Sequence, residues 1–401
     1  MARTISRKSM TLVTLMVVLS LVLAACGAQA TPTAVPTTAP TKAPVSQPTT
    51  PPTGEPIKVA LIAPQSGTNA ILGEWEKKSI SIAFDEQNAA GGVCGRPLEL
   101  LIEDDEADPT KSVSLVQKVI TQDGVVAAFA TTNSTPTLAD VPIFAEYKVP
   151  HLTGALNADI TRMGSAYVFR NTPAGPAYEK TIVDFLISKG FTKFAIVSDT
   201  SAYGKGEAQY QQDALEAQGI EPLAVEWYGI EDKDFTGQLT KILAADPEVL
   251  LFGGSEVASG LIAKQARQLG FTGQFGGGAA IGTTKFIEVA EDAAEGTFYA
   301  TPYPSNDLNE LTRAFAAKYE ARWGEPPENH GAKGYDQATL LIYALEQACP
   351  NITPQAIADQ LHAVCGFQGL QGEFCYDEAG EGLHETYIGL IKDGELTPYT
   401  E

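Results

Sequence analysis

Apolar positions fall into three regimes along the chain. Residues 12–23 are apolar almost without a break behind a basic start (Arg3, Arg7, Lys8), whereas residues 27–56 are nearly all Thr, Pro, Ala and Gln. From Ile57 onward, short apolar runs alternate with stretches of helical spacing. Residues 57–63, closed by Pro64 and Gly67, have the length of a strand buried on both faces. A helix carrying Trp75, Ile80, Ile82, Ala83 and Phe84 follows and ends at Ala89-Ala90-Gly91-Gly92. Strands are predicted at 98–103, 125–130 and 149–152. A helix begins between the first two at Asp108-Pro109, with Asp as N-cap and Pro at the first helical position.

The alternation restarts after Phe169-Arg170-Asn171-Thr172-Pro173. Helices are predicted at 178–189, 207–218, 235–245 and 258–269. The matching strands lie at 193–197, 222–227, 249–252 and near Phe275. Longer helical patterns cover 306–323, 338–348 and 354–364, the last capped by Thr353. A closing hairpin, 387–391 with 395–399, turns at Asp393-Gly394. Alternation of this kind builds parallel sheets with helices on both faces. Two runs of it predict an α/β chain with two doubly wound lobes, and ligands of such sheets bind beyond the carboxyl ends of the strands.

Composition changes the picture in three ways. The run at 12–23 is too short for a comfortable bilayer span and ends in small residues, so residues 1–26 are predicted to be a secretory signal. Residues 27–56 offer little to bury and read as a tether, stiffened by Pro to a reach of at most roughly 90 Å. The net charge of −22 excludes nucleic acid and anionic membrane surfaces as partners. Four cysteines follow Cys26, and an exported chain favours pairs. Cys365 and Cys375 flank a turn-rich stretch and are expected to pair. Cys349 with Cys365 is the alternative, and Cys94 is then left free. None sits in a CxxC, and His151, His330, His362 and His384 are scattered, so no metal site or cofactor is expected.

Several segments, in order, resemble one family: IKVALIAPQSG at 57–67, FDEQNAAGGVCGRP at 84–97, residues 104–109, NSTPTLA at 133–139, Val149-Pro150, Tyr203-Gly204, Phe252-Gly253-Gly254, Gly334-Tyr335-Asp336 and residues 367–372. The module is similar to type I periplasmic binding proteins, specifically the branched-chain amino acid (LIV-type) substrate-binding family of ABC transporters. Leu23-Ala24-Ala25-Cys26 likewise looks like a bacterial lipobox, which implies lipidation of Cys26 and an extracytoplasmic, membrane-tethered protein. The resemblance implies three hinge crossovers, near 171–173, 301–304 and 369–374. One lobe then spans 57–171 and 304–369, and the other 172–303 and 370–401. It also implies a monomer that delivers a small ligand to a permease, and closure of the lobes on that ligand.

The loop before residue 135 carries hydroxyls at a helix N-terminus, which suits an anion. By resemblance, Ser134 holds a ligand carboxylate with Asn133 beside it. Thr153, Gly154, Ala155 and Leu156 offer backbone groups, and Tyr203 enters from the second lobe. Leu72 and Trp75 wall the pocket, although Trp75 reads equally well as core. Two positions depart from the family. Ala279 stands where an acid pairs with the ligand ammonium, and Ser255, followed by Glu256, stands where a second tyrosine is expected. A buried ammonium without a carboxylate is costly. Either Glu256 takes over that role or the ligand lacks an α-amino group. The second is expected: an amide, an aromatic acid or another small carboxylate, with weak or no binding of branched-chain amino acids. A sensor subunit of the same fold is the alternative function. An enzyme is disfavoured, since there is no GxGxxG, P-loop, GxSxG or HExxH pattern.

Overall fold

The computed structural model describes residues 52–400, apart from Thr131, residues 304–307 and the side chain of Leu383. The signal, Cys26, the tether up to residue 51, the end of the second expected crossover and the start expected for the helix at 306 lie outside the described residues.

In the first lobe, β1 (Ile57–Ile62), α1 (Ala70–Ala89), β2 (Leu98–Glu103), α2 (Pro109–Lys118), β3 (Ala127–Ala130), α3 (Ser134–Tyr147), β4 (His151–Thr153), the single turn α4 (Asp159–Arg162) and β5 (Val168–Arg170) follow one another. The strands form a parallel sheet of order β2-β1-β3-β4-β5. Asp108 caps α2 by accepting from the Lys111 N–H, with Pro109 at its first position.

The second lobe continues with α5 (Gly175–Ser188), β6 (Phe194–Asp199), α6 (Ala202–Ala217), β7 (Ala224–Tyr228), α7 (Thr236–Ala244), β8 (Val249–Phe252), α8 (Glu256–Gln268), β9 (Gln274–Gly277), α9 (Thr284–Ala290) and β10 (Phe298–Thr301). The chain then returns to the first lobe with α10 (Glu310–Trp323), α11 (Asn329–Gln347) and α12 (Pro354–His362). A small antiparallel sheet follows, made of β11 (Cys365–Gly369), β12 (Gly372–Tyr376) and β13 (Gly382–Leu383). The hairpin β14 (Tyr387–Lys392) and β15 (Glu395–Pro398) finishes a seven-stranded sheet of order β15-β14-β10-β9-β8-β6-β7. β14 alone runs against the other strands, pairing antiparallel with β10 on one side and β15 on the other.

The third crossing lies later than residues 369–374. Leu370, Phe374 and Tyr376 pack into the first-lobe core with Phe129 and Phe169. Asp336 of α11 holds that hairpin by accepting from the N–H groups of Leu370 and Gln371. The chain reaches the seven-stranded sheet only at β14. Cys365 is bonded to Cys375, and Cys94, expected to be free, is bonded to Cys349. That second bond links the loop after α1 to the residue just beyond α11, two helices that pack face to face.

Two helices, α6 and α11, start five or more residues ahead of their apolar patterns. α6 begins at Ala202 because the Ser201 hydroxyl caps it, accepting from the Gly204 N–H. α11 begins at Asn329, where Glu328 accepts from the N–H groups of His330 and Gly331.

Candidate functional site

The two lobes meet across a cleft already bridged by hydrogen bonds. Asn157 Nδ2 donates to the Ala202 carbonyl (2.9 Å), the Ala202 N–H to Thr135 Oγ1 (3.2 Å), and the Ala158 N–H to the Tyr210 hydroxyl (2.9 Å). Asn329 Nδ2 of α11 donates to the Gly282 carbonyl at 3.0 Å. Between the carboxyl ends of both sheets lies a cavity of about 370 Å³, walled from both lobes.

Each wall segment leaves the end of a strand or opens a helix. Leu72 and the α1 N-cap Asn69 come from behind β1, and residues 106–109 come from behind β2. Thr132, Asn133 and Thr135 come from behind β3. The second lobe supplies Asp199, Ser201 and Tyr203 after β6, Ile230 and Glu231 after β7, Ser255 and Glu256 after β8, and Ala279 and Ala280 after β9. His330, in the first turn of α11, completes the wall with Leu156. Asn133, Ser201 and Ser255 are N-caps whose side-chain oxygens accept backbone N–H groups. A larger recess of about 810 Å³ lies among the crossovers, walled by Arg162, Pro173, Glu381 and His384 among others, and none of the expected site residues lines it.

The structure brings Leu72, Asn133, Leu156, Tyr203, Ser255, Glu256 and Ala279 to this wall. It turns Ser134, Thr153, Gly154 and Ala155 inward. Ser134 is fully buried, and its hydroxyl accepts from the Asn157 N–H (3.2 Å). Thr153 Oγ1 accepts from the Ala155 N–H, and the Gly154 carbonyl accepts from Thr132 Oγ1 at 3.0 Å. A Cβ on Gly154 would meet Gln337, Lys333 and Thr132 at 3.3 Å, so its smallness serves internal packing. Trp75 is buried behind the wall, stacked on His330 with ring centroids 5.6 Å apart and planes 3° from parallel.

Glu256 does not point to bulk solvent. It is 5% exposed, and its Oε1 lies 3.5 Å from His330 Nε2, reaching from the second lobe to the first. Asp199, also buried, accepts from the N–H and hydroxyl of Ser201; burial nevertheless holds its pKa above the usual carboxylate range. The Tyr203 phenol is pushed up by burial first and then by the carboxylates of Glu207, Glu179, Glu256 and Asp199. Gly254 permits this crowding, because a Cβ there would collide with the Tyr228 hydroxyl.

A second buried polar layer lies behind the wall. Burial pushes Glu76 up to about 8 against the pull of Lys333, and pulls Lys333 down to about 8. Glu207 is pushed up to about 7 by burial, and Glu179, which shares a hydrogen bond with it, also rises. Lys333 lies 5.6 Å from the centre of the Tyr178 ring of the other lobe.

Sequence reasoning missed Asp199 and His330 as wall residues. Asp199 closes an apolar strand just before a Ser helix cap, which was a usable signal. His330 carried none, since only the folding of α11 against α1 places it on the cleft.

The chain matches the family model described as periplasmic binding protein over residues 56–395. It is 28% identical over 332 residues to the leucine-, isoleucine-, valine-, threonine- and alanine-binding protein of Pseudomonas aeruginosa, covering 82% of this chain and 87% of that protein. Leu/Ile/Val-binding protein homolog 1 of Brucella abortus is 29% identical over 338 residues, with coverage of 83% and 89%. Among solved structures, the leucine-binding protein LivK of Thermotoga maritima superposes with a TM-score of 0.80 at 26% identity, covering 86% of this chain and 98% of that one. LivJ of Streptococcus pneumoniae, in complex with isoleucine, gives 0.79 at 25% identity, with coverage of 85% and 97%.

Proposed function

Because the chain belongs to the periplasmic binding protein family, as a solute-binding protein of the branched-chain amino acid ABC transporter type, we propose that it works as a lipid-tethered extracytoplasmic receptor handing one small solute to an importer. The lipid is carried by Cys26, and residues 27–56 form the tether that lets the two-lobed body swing between capture and delivery.

One observation supports this reading above the rest. The cavity of about 370 Å³ is lined by loops and helix starts from both lobes, nearly all at strand ends. That is where open α/β sheets bind ligands, and the volume suits a solute of amino-acid size. The N-terminus of α3 gives the first-lobe wall partial positive charge, whereas Asp199 and Glu256 give the second-lobe wall two carboxylates. A dipolar solute fits between them. The buried position of Glu256 favours it, rather than an amino-free ligand, as the answer to the acid missing at Ala279.

The test is a thermal-shift screen of the purified full chain against amino acids, amides, aromatic acids and small amines. A ligand at one hundred times its Kd stabilises the folded form by about 2.7 kcal/mol. No shift with any member of such a panel at millimolar concentration sinks the reading.

A further inference from the structure

The face of α6 that meets the first lobe carries a carboxyl among its contacts. Tyr203, Gly206, Glu207 and Tyr210 follow at helical spacing and share one side of the helix. Tyr203 lines the cleft, a Cβ on Gly206 would lie 3.2 Å from Asn157 Nδ2, and the Tyr210 hydroxyl accepts from the Ala158 N–H. Glu207 stands between them on that face, 1% exposed. Its neighbour is Glu179 of α5, fully buried. A Cβ on Gly278 would meet Glu179 Oε1 at 2.5 Å and Glu207 Oε2 at 3.1 Å, so both carboxyls converge on one glycine. They hydrogen-bond to each other. An ionised carboxylate can only accept, so a bond between two carboxyls requires a proton on one of them.

Charged and titratable groups surround the pair from both lobes. Lys333 of α11 and Arg170 of β5 face it from the first lobe, and Tyr178, Tyr203 and Tyr210 from the second. Arg170 is committed to Glu381 and two carbonyls, and Lys333 also faces Glu76, Glu256 and Glu328. Burial outweighs both cations, raising Glu207 from 4.5 to about 7 and holding Glu179 well above its ordinary value. Lys333, pulled down to about 8, stays charged below that pH. Parting of the lobes brings water to the α6 face and removes the burial that favours neutral carboxyls.

Building on the solute-receptor reading, we propose that closure of the lobes takes up a proton from solvent, shared between Glu179 and Glu207, so that acid tightens the hold on the solute. The sign follows from the closed form binding the proton more strongly than the open one. Affinity rises as the pH falls through about 7 and levels off near the ordinary carboxylate value of 4.5. Asp199, raised by burial on the cleft wall, adds in the same direction.

Calorimetry on the full chain with leucine as probe, in phosphate and in Tris at pH 7, counts the proton. The two buffers differ in ionisation enthalpy, and their heats should differ by the amount for about one proton taken up per leucine bound. Affinity should rise by up to about tenfold per pH unit between pH 7 and pH 5. Glu207→Gln puts an amide donor where the shared proton lies. With an unchanged melting temperature, this variant should bind leucine at pH 7 about as tightly as wild type does at pH 5, and lose most of the pH dependence. Where leucine gives no heat, solution scattering of the free chain takes its place: the radius of gyration should be smaller at pH 5 than at pH 8 in wild type and equal in the variant. Equal heats in the two buffers, net proton release or a variant with the full pH dependence overturns the proposal. So does leucine silence joined to equal scattering at both pH values. These results leave the receptor reading standing, which falls only with the silence of the wider panel.

Discussion

Arg170 offers a sharp test of how the cavity wall is held. It closes β5 at the first crossover with its side chain fully buried. Its Nη1 donates to the carbonyls of Ala155 (2.8 Å) and Asn157 (3.0 Å), which bracket the wall residue Leu156. Nη2 donates to Thr161 Oγ1, and Nε lies 2.9 Å from Glu381 Oε1. Arg170→Met keeps the bulk but strands two backbone carbonyls and leaves Glu381 without its cation. Removing one partner of a buried pair costs about 3–5 kcal/mol. The Glu381 side chain retains 18% exposure and keeps a 2.7 Å bond from Thr161, so water can recover part of the loss. We therefore expect the low end, about 3 kcal/mol, from urea unfolding. Adding Glu381→Gln should restore at least about 1 kcal/mol, since the stranded charge is then gone. A single-variant loss below about 1 kcal/mol, or a double variant no better than the single, would refute the argument that Arg170 is held by its charge.

Two further outcomes are expected. His151 is fully buried against Phe144, and burial pulls its pKa down from 6.5 to about 3. The unfolded chain therefore binds a proton below pH 6.5 that the folded chain refuses, and stability falls as the pH drops from 6.5 toward 3. The slope is about 1.4 kcal/mol per pH unit. Between pH 6 and pH 4, wild type should lose about 2.5 kcal/mol more than His151→Phe, and parallel profiles would contradict this. At the other end of the chain, Cys26→Ser should abolish incorporation of labelled fatty acid and move the protein from the membrane fraction to the soluble one; a variant that stays with the membrane rules out the lipid tether.

The strand–helix alternation was legible because its strands are short apolar runs closed by Gly, Pro or Asp, as in residues 57–63 and 249–252. The start of α11 was not. Asn329, His330, Lys333, Asp336 and Gln337 are all buried on it, against the rule that polar residues face water. The same inversion hid the site. Glu256 sits where a charged side chain would ordinarily reach into solvent, and only the approach of His330 from the other lobe turns that position into a wall. Ser134 is the helix-start hydroxyl that the local pattern marks for an anion, and its oxygen also accepts from the Asn157 N–H inside the lobe, a contact with no local signal. Cys94 and Cys349 stand 255 residues apart and carry no local signal for their pairing.

The helices that begin at the cavity wall give it a property of its own. Asn69, Asp108, Asn133, Ser201 and Ser255 stand at the N-caps of α1, α2, α3, α6 and α8, and His330 lies in the first turn of α11. Apart from Leu156, Ala279 and Tyr203, the wall residues stand outside the hydrophobic clusters. Cargo choice and folding are thus written in largely separate alphabets. A handful of exchanges among the wall residues outside the clusters would change which solute the cleft accepts while leaving the apolar cores under both sheets intact.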